Sequence, residues 1–466
     1  MLFSEPVFLF LFLPLVLVAY AISSQALRNG ILLAASLLFY AWGEELYLLI
    51  LLFSIALNYV IGVWMAERRD KSRLLALWVG IAGNLALLGY FKYWGFAMGS
   101  LGFTEAAASA PALPIGISFF TFQAMSYLID LYFERVAVQK SPFRLALYIS
   151  MFPQLIAGPI VRYAEVDEAL TDRKTEQSDI AYGVHRFVIG LAKKTLIADP
   201  LGLVADQIFG IPQGGLTPAL AWTGAICYSL QLYFDFSAYS DMAIGLGRLF
   251  GFRFPENFNY PYAARSVADF WRRWHMTLSR WFRDYLYIPL GGNQKGAGRT
   301  YLNLWIVFLA TGLWHGAAWS FVFWGAYHGA FLIFERLGLS RLLAALPRAF
   351  QHGYLLFVVV LGWVPFRSES FSQTMDFYGA MLLWKSGALS HFHPLERYVD
   401  AYVVGLTLFA AALSVPLLSG AARMALSGLS SAQKSVAITT GFWILFVVTI
   451  VSVGAASYSP FIYFRF

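Results

Sequence analysis

"LYLLILLFSIALNYVIGVWM", residues 46–65, decides what kind of fold this chain adopts. It carries no charged residue, and its polar side chains are few. A helix needs about 20 mostly apolar residues to cross a hydrocarbon core, and this stretch supplies them. "PVFLFLFLPLVLVAYAI" (6–22) is a second such run. It lacks a basic start and a small-residue cleavage pattern, and more apolar segments follow, so it reads as a retained span and not a secretion signal. Composition points the same way. The 466 residues are 59% hydrophobic and 13% charged, against about 25% charged in soluble proteins.

Further apolar segments fall near 30–42, 74–97, 113–133, 144–161, 183–206, 217–234, 301–336, 353–366, 400–418 and 437–456. The expected fold is an all-α polytopic membrane protein, one domain over 1–466. Roughly ten to twelve transmembrane or membrane-embedded helices fit that pattern. No internal repeat is visible. The 301–336 segment would reach about 54 Å as one straight helix, so a break inside it is expected. "ERRDKSR" (67–73) and "ERVAVQKSPFR" (134–144) read as cytoplasmic loops, and 99–114, without Lys or Arg, as an outer one. That orientation puts the N-terminus outside. "LPIG" (113–116) and "AGPI" (157–160) mark broken helices. Irregular backbone at membrane depth survives only where protein or water surrounds it, which suggests a cavity.

The net charge of +7 follows from the positive-inside rule. No nucleic-acid partner is expected; membrane lipid is. The single cysteine, Cys227, excludes an internal disulfide and a multi-cysteine zinc site. Its apolar neighbours mark it as a packing residue, and no metal is expected.

"RSVADFWRRWHMTLSRWFRDYL" (265–286) spaces Val267, Phe270, Trp271, Trp274, Leu278, Trp281, Phe282 and Tyr285 along one helical stripe. Arg265, Arg272, Arg273, Arg280 and Arg283 fall largely off it. Asp269 stands four residues before Arg273, an ion-pair spacing. A basic helix with a Trp/Phe face lies flat in the membrane interface. Such a helix is an anchor, or, since His275 borders the stripe, part of a site. "IPLGGNQKGAGRT" (288–300) follows. Its glycines with Asn293, Lys295 and Arg299 read either as a phosphate-holding turn on the donor side or as a plain cytoplasmic turn.

Of seven histidines, His185 at a helix start and His352, His391 and His393 in polar loops read as structural or solvated. His315 is different. It lies mid-way through an apolar run between Gly312 and Gly316, which permit a break or a close approach. Intramembrane ionisable residues are functional candidates by default; the competing reading is a neutral imidazole bonded to a helix carbonyl. On one straight helix His315 and His328 would lie about 20 Å apart along the axis. They cannot share a reacting atom unless the chain turns back near Gly316. His315 is thus the chemical histidine, and His328 is structural or substrate-lining. Asp235 and Asp241, in "LYFDFSAYSDMAIG" (232–245), read as a proton path, a cavity wall or helix caps.

"LPIGISFFTFQAMSYLIDLY" (113–132), "AGPIVRY" (157–163), "YFDFSAYSDMAIGLGRLFGFRFPENFNYPY" (233–262), "DFWRRWHMTLSRWFRDYLYIPLGGN" (269–293) and "GLWHGAAWSFVFWGAYHG" (312–329) together resemble the membrane-bound O-acyltransferase family. Within it, the alginate O-acetyltransferase membrane-subunit branch is the most similar and the D-alanyl transfer proteins of teichoic acid synthesis are more distant. The resemblance covers nearly the whole chain, is densest over 113–336, and includes the ending "SPFIYFRF" (459–466).

The resemblance implies a ring of helices around a thin partition pierced by a tunnel. It implies that His315 is the catalytic histidine and His275 a second functional one; the bulky Trp314, Trp319 and Trp324 of the same segment would narrow a passage to acyl width. It also implies acetyl-CoA as the cytoplasmic donor substrate, with no bound cofactor, in a bacterial inner membrane. An outer-side, periplasmic acetylesterase-like partner would take the acetyl group for an exopolysaccharide such as alginate or cellulose, with a polysaccharide synthase complex nearby. A transporter of acetylated units, D-alanyl or other acyl transfer, and a scaffold that only recruits a synthase are the competing classes. The lack of an inverted repeat counts against the transporter.

Overall fold

The computed structural model describes residues 1–455; the resemblance at 459–466 lies outside them. Among the described residues the regular structure is entirely helical. They form two compact units interleaved along the sequence, one of Met1–Leu191 with Tyr239–Glu256, the other of Ala192–Ala238 with the described residues from 257 onward.

The first unit holds helices α1 (Phe8–Ile22), α2 (Gln25–Ala41), α3 (Leu48–Ala66) and α4 (Lys71–Ser100), α5 (Ile117–Tyr132) and most of α6 (Gln177–Ala192). In α1, Phe8 and Phe12 turn inward onto Phe39 and Phe152, while Phe10, Leu11, Leu15 and Val18 stay exposed. This is the division expected of a helix with one face on protein and one on lipid. Between α3 and α4, Asn58 and Asn84 pair through their amides at 3.1 and 2.8 Å. Amide pairs of this kind hold helices together where hydrocarbon offers no hydrophobic drive. The 67–73 and 134–144 loops meet through Arg73 and Glu134 at 2.6 Å, so they share one end of this unit.

Both sequence breaks appear. Gly116 enters α5 with φ 77° and Gly158 has φ 99°. A Cβ on Gly116 would come within 2.5 Å of the Leu155 carbonyl oxygen, so this break is closed by backbone.

Helix α7 (Pro218–Leu249) has 32 residues. It runs well past the apolar segment expected at 217–234 and carries the polar 232–245 cluster as helix. The second unit continues through α8 (Val267–Arg273), α9 (Met276–Phe282), α10 (Ala297–His315), α11 (Trp319–Phe334), α12 (Arg348–Arg367) and α13 (Ser431–Ala455). Of all these helices, α3, α4, α12 and α13 are long and apolar enough to cross a membrane, and the bent pair Ala401–Leu413 with Leu417–Ser427 adds a fifth candidate. Uninterrupted spans are therefore fewer than apolar segments, because many segments are short or broken. The 301–336 run breaks as expected, at Gly316, into α10 and α11.

The flat helix expected over 265–286 does not form. Its eight stripe residues are all buried in protein, but the helix stops at Arg273 and restarts at Met276. His275 between them is left-handed (φ 41°, ψ 54°). The loop before α8 takes over the backbone bonds: Asn259 N–H donates to the Arg273 carbonyl at 3.0 Å, and Met276 N–H to the Asn257 carbonyl at 2.9 Å. Periodicity found the apolar stripe, but the stripe faces protein and not the membrane interface, and periodicity could not register a break sealed by another segment.

Candidate active site

The break at His275 and the end of α10 bring two imidazoles together. The ring centroids of His275 and His315 lie 6.4 Å apart, although forty residues separate them in sequence. Both are buried. His315 is the last residue of α10, and Gly316 beyond it is extended. A Cβ on Gly316 would fall into the Phe321 ring, so only glycine lets the chain turn there. Four residues earlier, Gly312 packs against the Gly325 backbone of α11. That small-residue crossing lets the two helices close as a hairpin.

Aromatic rings surround the two imidazoles. Trp314, Trp324 and Phe366 approach His315 at 4.9, 5.1 and 5.1 Å. Phe236 stands edge-on to His275 at 4.6 Å and Trp314 lies 5.9 Å from it. Trp324 also touches His328 at 5.1 Å, so one indole lies between His315 and His328. The chain does turn back at Gly316, yet His328 packs beyond that indole against Trp271 at 5.1 Å. Among the described residues its two ring nitrogens have no hydrogen-bond partner, and the ring is fully buried.

His275 is held from one side. Its Nδ1 lies 3.1 Å from the Asn257 Oδ1, which also accepts from Thr277 N–H at 3.3 Å and Thr277 Oγ1 at 2.9 Å. Asn257 is fully buried. Further out, Glu335 just beyond α11 accepts from the Val267 and Ala268 N–H groups at 2.6 and 3.1 Å. It fastens the start of α8.

The remaining candidates separate. Asp269 and Arg273 pair at 3.1 Å, as their spacing foretold. Asp235 pairs with buried Lys194 at 2.9 Å, and Lys194 also with Asp199 at 2.7 Å. Asp241 belongs to the first unit, where it pairs with Arg186 at 2.7 Å. Both aspartates lie inside α7, so neither caps a helix, and they do not form one cluster. Asn293 and Lys295 are exposed on a turn whose Gly291, Gly292 and Gly296 all have positive φ, and Arg299 is exposed in the first turn of α10. Asn303 ties that turn by donating to the Gly292 carbonyl at 2.9 Å.

Two histidines stand elsewhere than expected. His185 lies inside α6, bonded to the Ala181 carbonyl at 2.8 Å. His352 lies in the first turns of α12, where it borders an apolar cleft of about 510 Å³ with Trp222 and Leu356. Cys227 is buried beside Thr407.

Sequence reasoning missed Asn257, Lys194, Phe236 and Phe366. "PENFNYP" drew attention as a motif, but no spacing rule links Asn257 to a histidine eighteen residues on.

The model of the membrane-bound O-acyltransferase family matches residues 117–364, a range that includes every chamber residue except Phe366. The chain belongs to this family. Its relatives include proteins named "Probable alginate O-acetylase AlgI" from Pseudomonas putida, 40% identical over the full length of both chains, and from Pseudomonas aeruginosa, 38% identical over the full length of both. A "Peptidoglycan O-acetyltransferase" of Helicobacter pylori is 34% identical, covering 100% of this chain and 98% of its own. This membrane-bound O-acyltransferase is a multi-pass membrane protein.

Proposed function

We propose that the chain acts as one domain of a bacterial inner membrane, a ring of helices around a tunnel, and passes an acetyl group through the His275–His315 chamber. The observation that carries this reading is the burial of two imidazoles within 6.4 Å, centroid to centroid, in an aromatic enclosure. A neutral imidazole accepts a proton near neutral pH. The donor is a cytoplasmic acetyl thioester, acetyl-CoA.

His315 takes the proton of an acceptor hydroxyl as its oxygen attacks the thioester carbonyl. The tetrahedral centre then collapses, the C–S bond breaks, and the imidazolium returns the proton to the leaving thiolate. Trp314 and Trp324 narrow the passage to the width of an acetyl arm. The acceptor is a hydroxyl of a periplasmic acetylesterase-like partner that acetylates an exopolysaccharide. The names of the full-length relatives favour alginate over cellulose or a wall polymer. Asn293, Lys295 and Arg299 would then face the phosphates of CoA.

The test is His315→Gln. Purified wild-type protein with labelled acetyl-CoA should release CoA when the acceptor partner is added. The variant should lose transfer by about 10²–10⁴-fold at an unchanged membrane level. Full activity in a well-folded His315→Gln protein would end this reading. Acetylated sugar crossing vesicles without thioester consumption would replace it with transport.

A further inference from the structure

We propose that Asn257 is a positioning residue that locks His275 into a single tautomer, with hydrogen on Nδ1 and a bare lone pair on Nε2. The proposal rests on the His275–His315 chamber being the acyl-transfer site.

The assignment follows from a donor that cannot be reversed. The backbone N–H of Thr277 points at the Asn257 side chain at 3.3 Å. A backbone N–H can only donate, so the amide atom facing it is the oxygen and not the NH₂ group. That same oxygen lies 3.1 Å from His275 Nδ1. Two lone pairs facing each other at that distance would repel, so Nδ1 carries the hydrogen and donates. In a neutral imidazole the other nitrogen is then an acceptor. Nε2 is buried and has no hydrogen-bond partner among the described residues. A buried acceptor left open in this way is costly, and in a substrate chamber it is suited to receive a hydrogen bond from an incoming O–H or N–H group.

A second observation, independent of the ring, points to the same residue. His275 is not glycine, yet it has φ 41° and ψ 54°. Such backbone persists only where its surroundings over-determine it. Asn257 does so: its carbonyl accepts Met276 N–H at 2.9 Å, and its side chain accepts Thr277 N–H and Oγ1. One buried residue therefore holds both the backbone bend that presents the imidazole and the proton that sets its polarity. Phe236, edge-on at 4.6 Å, limits ring rotation. Removing an orienting partner behind a functional histidine commonly costs about 10–100-fold.

The test measures acetyl transfer from labelled acetyl-CoA by full-length protein in detergent, per folded molecule, for Asn257→Leu, Asn257→Asp, His275→Gln and the double variant Asn257→Leu/His275→Gln. Asn257→Leu should fall about 10–100-fold in kcat with little change in KM. The double variant should be no worse than His275→Gln alone, because Asn257 acts through that ring. Asn257→Asp keeps an acceptor and should restore most of the rate. Its carboxylate favours the imidazolium, so the acid limb of its pH–rate profile should move to higher pH.

Additive losses in the double variant would overturn the proposal, as would full activity in Asn257→Leu or in His275→Gln. If Asn257→Leu does not fold, Asn257→Asp decides: an unmoved acid limb overturns the proposal. An active His315→Gln would bring down the site itself. An inactive His315→Gln with additive Asn257 and His275 losses would bring down only this assignment.

Discussion

At Gly116 the first unit turns into α5 through a left-handed residue, φ 77°, pressed against the Leu155 carbonyl. At His275 the second unit turns into α9 through another left-handed residue, φ 41°, pressed against Asn257. The backbone problem is the same, and glycine is its low-strain solution. The first unit uses glycine, which brings no side chain of its own to the turn; the ionisable group buried nearby, Lys92, donates to Ser118 Oγ at 3.1 Å. The second accepts the strain of a side chain in the left-handed region, and that side chain is an imidazole facing another. Glu134, Tyr260 and Trp384 are left-handed as well, but of the four only His275 is buried against a second imidazole.

The comparison can be broken most sharply by exchange. His275→Gly should relieve about 1–2 kcal/mol of left-handed strain but leave a cavity against Phe236 and Trp314, which costs more, so heat stability should fall modestly while transfer falls by about 10²-fold or more. Heat stability and CoA release measured on one preparation decide it. Preserved transfer would mean that only the bend mattered. Gly116→Ala should do the reverse. It adds about 1–2 kcal/mol of left-handed strain and a clash with the Leu155 carbonyl, so the folded yield in detergent should drop while activity per folded molecule holds. A folded but inactive Gly116→Ala protein would make the first break a functional one too.

The smallest effect is expected at the exposed loop pair. Arg73 bonds Glu134 and holds its carboxyl below the usual carboxylate range. The lowered folded value means the contribution is present above the ordinary carboxyl range and is lost as pH falls through the folded one. Thermal unfolding of Glu134→Gln should match wild type in strong acid and fall slightly below it at neutral pH. A difference that instead grows toward acid would show the pair is misread.

Much of the fold was legible because a bilayer enforces simple rules. The exposed face of α1 and the breaks at Gly116, Gly158 and Gly316 follow from apolar length and glycine placement, whereas the stripe from Val267 to Tyr285 was legible as a stripe but expected at the membrane interface, and it is buried in protein. The helix break at His275 was not legible, because its cause is a pair of backbone bonds from Asn257 and Asn259, and periodicity cannot see a partner segment. For the same reason Asp235 and Asp241 read as one cluster. Only the folded α7 sends one to Lys194 and the other to Arg186. The two chamber histidines were legible as candidates through burial and resemblance, whereas the asparagine behind one of them carries no charge and no spacing signal.

Glu335 gives the second unit a mechanical character. It follows α11 directly and grips the first N–H groups of α8. From His315 the chain passes Gly316, runs about 24 Å up α11, crosses to Val267 through Glu335, and returns about 10 Å along α8 toward His275. That path is a loop of two helices joined at the tight turn of Gly316 and by the two Glu335 bonds. The gap between the imidazoles is therefore tied to the turn at Gly316 and to the two Glu335 bonds.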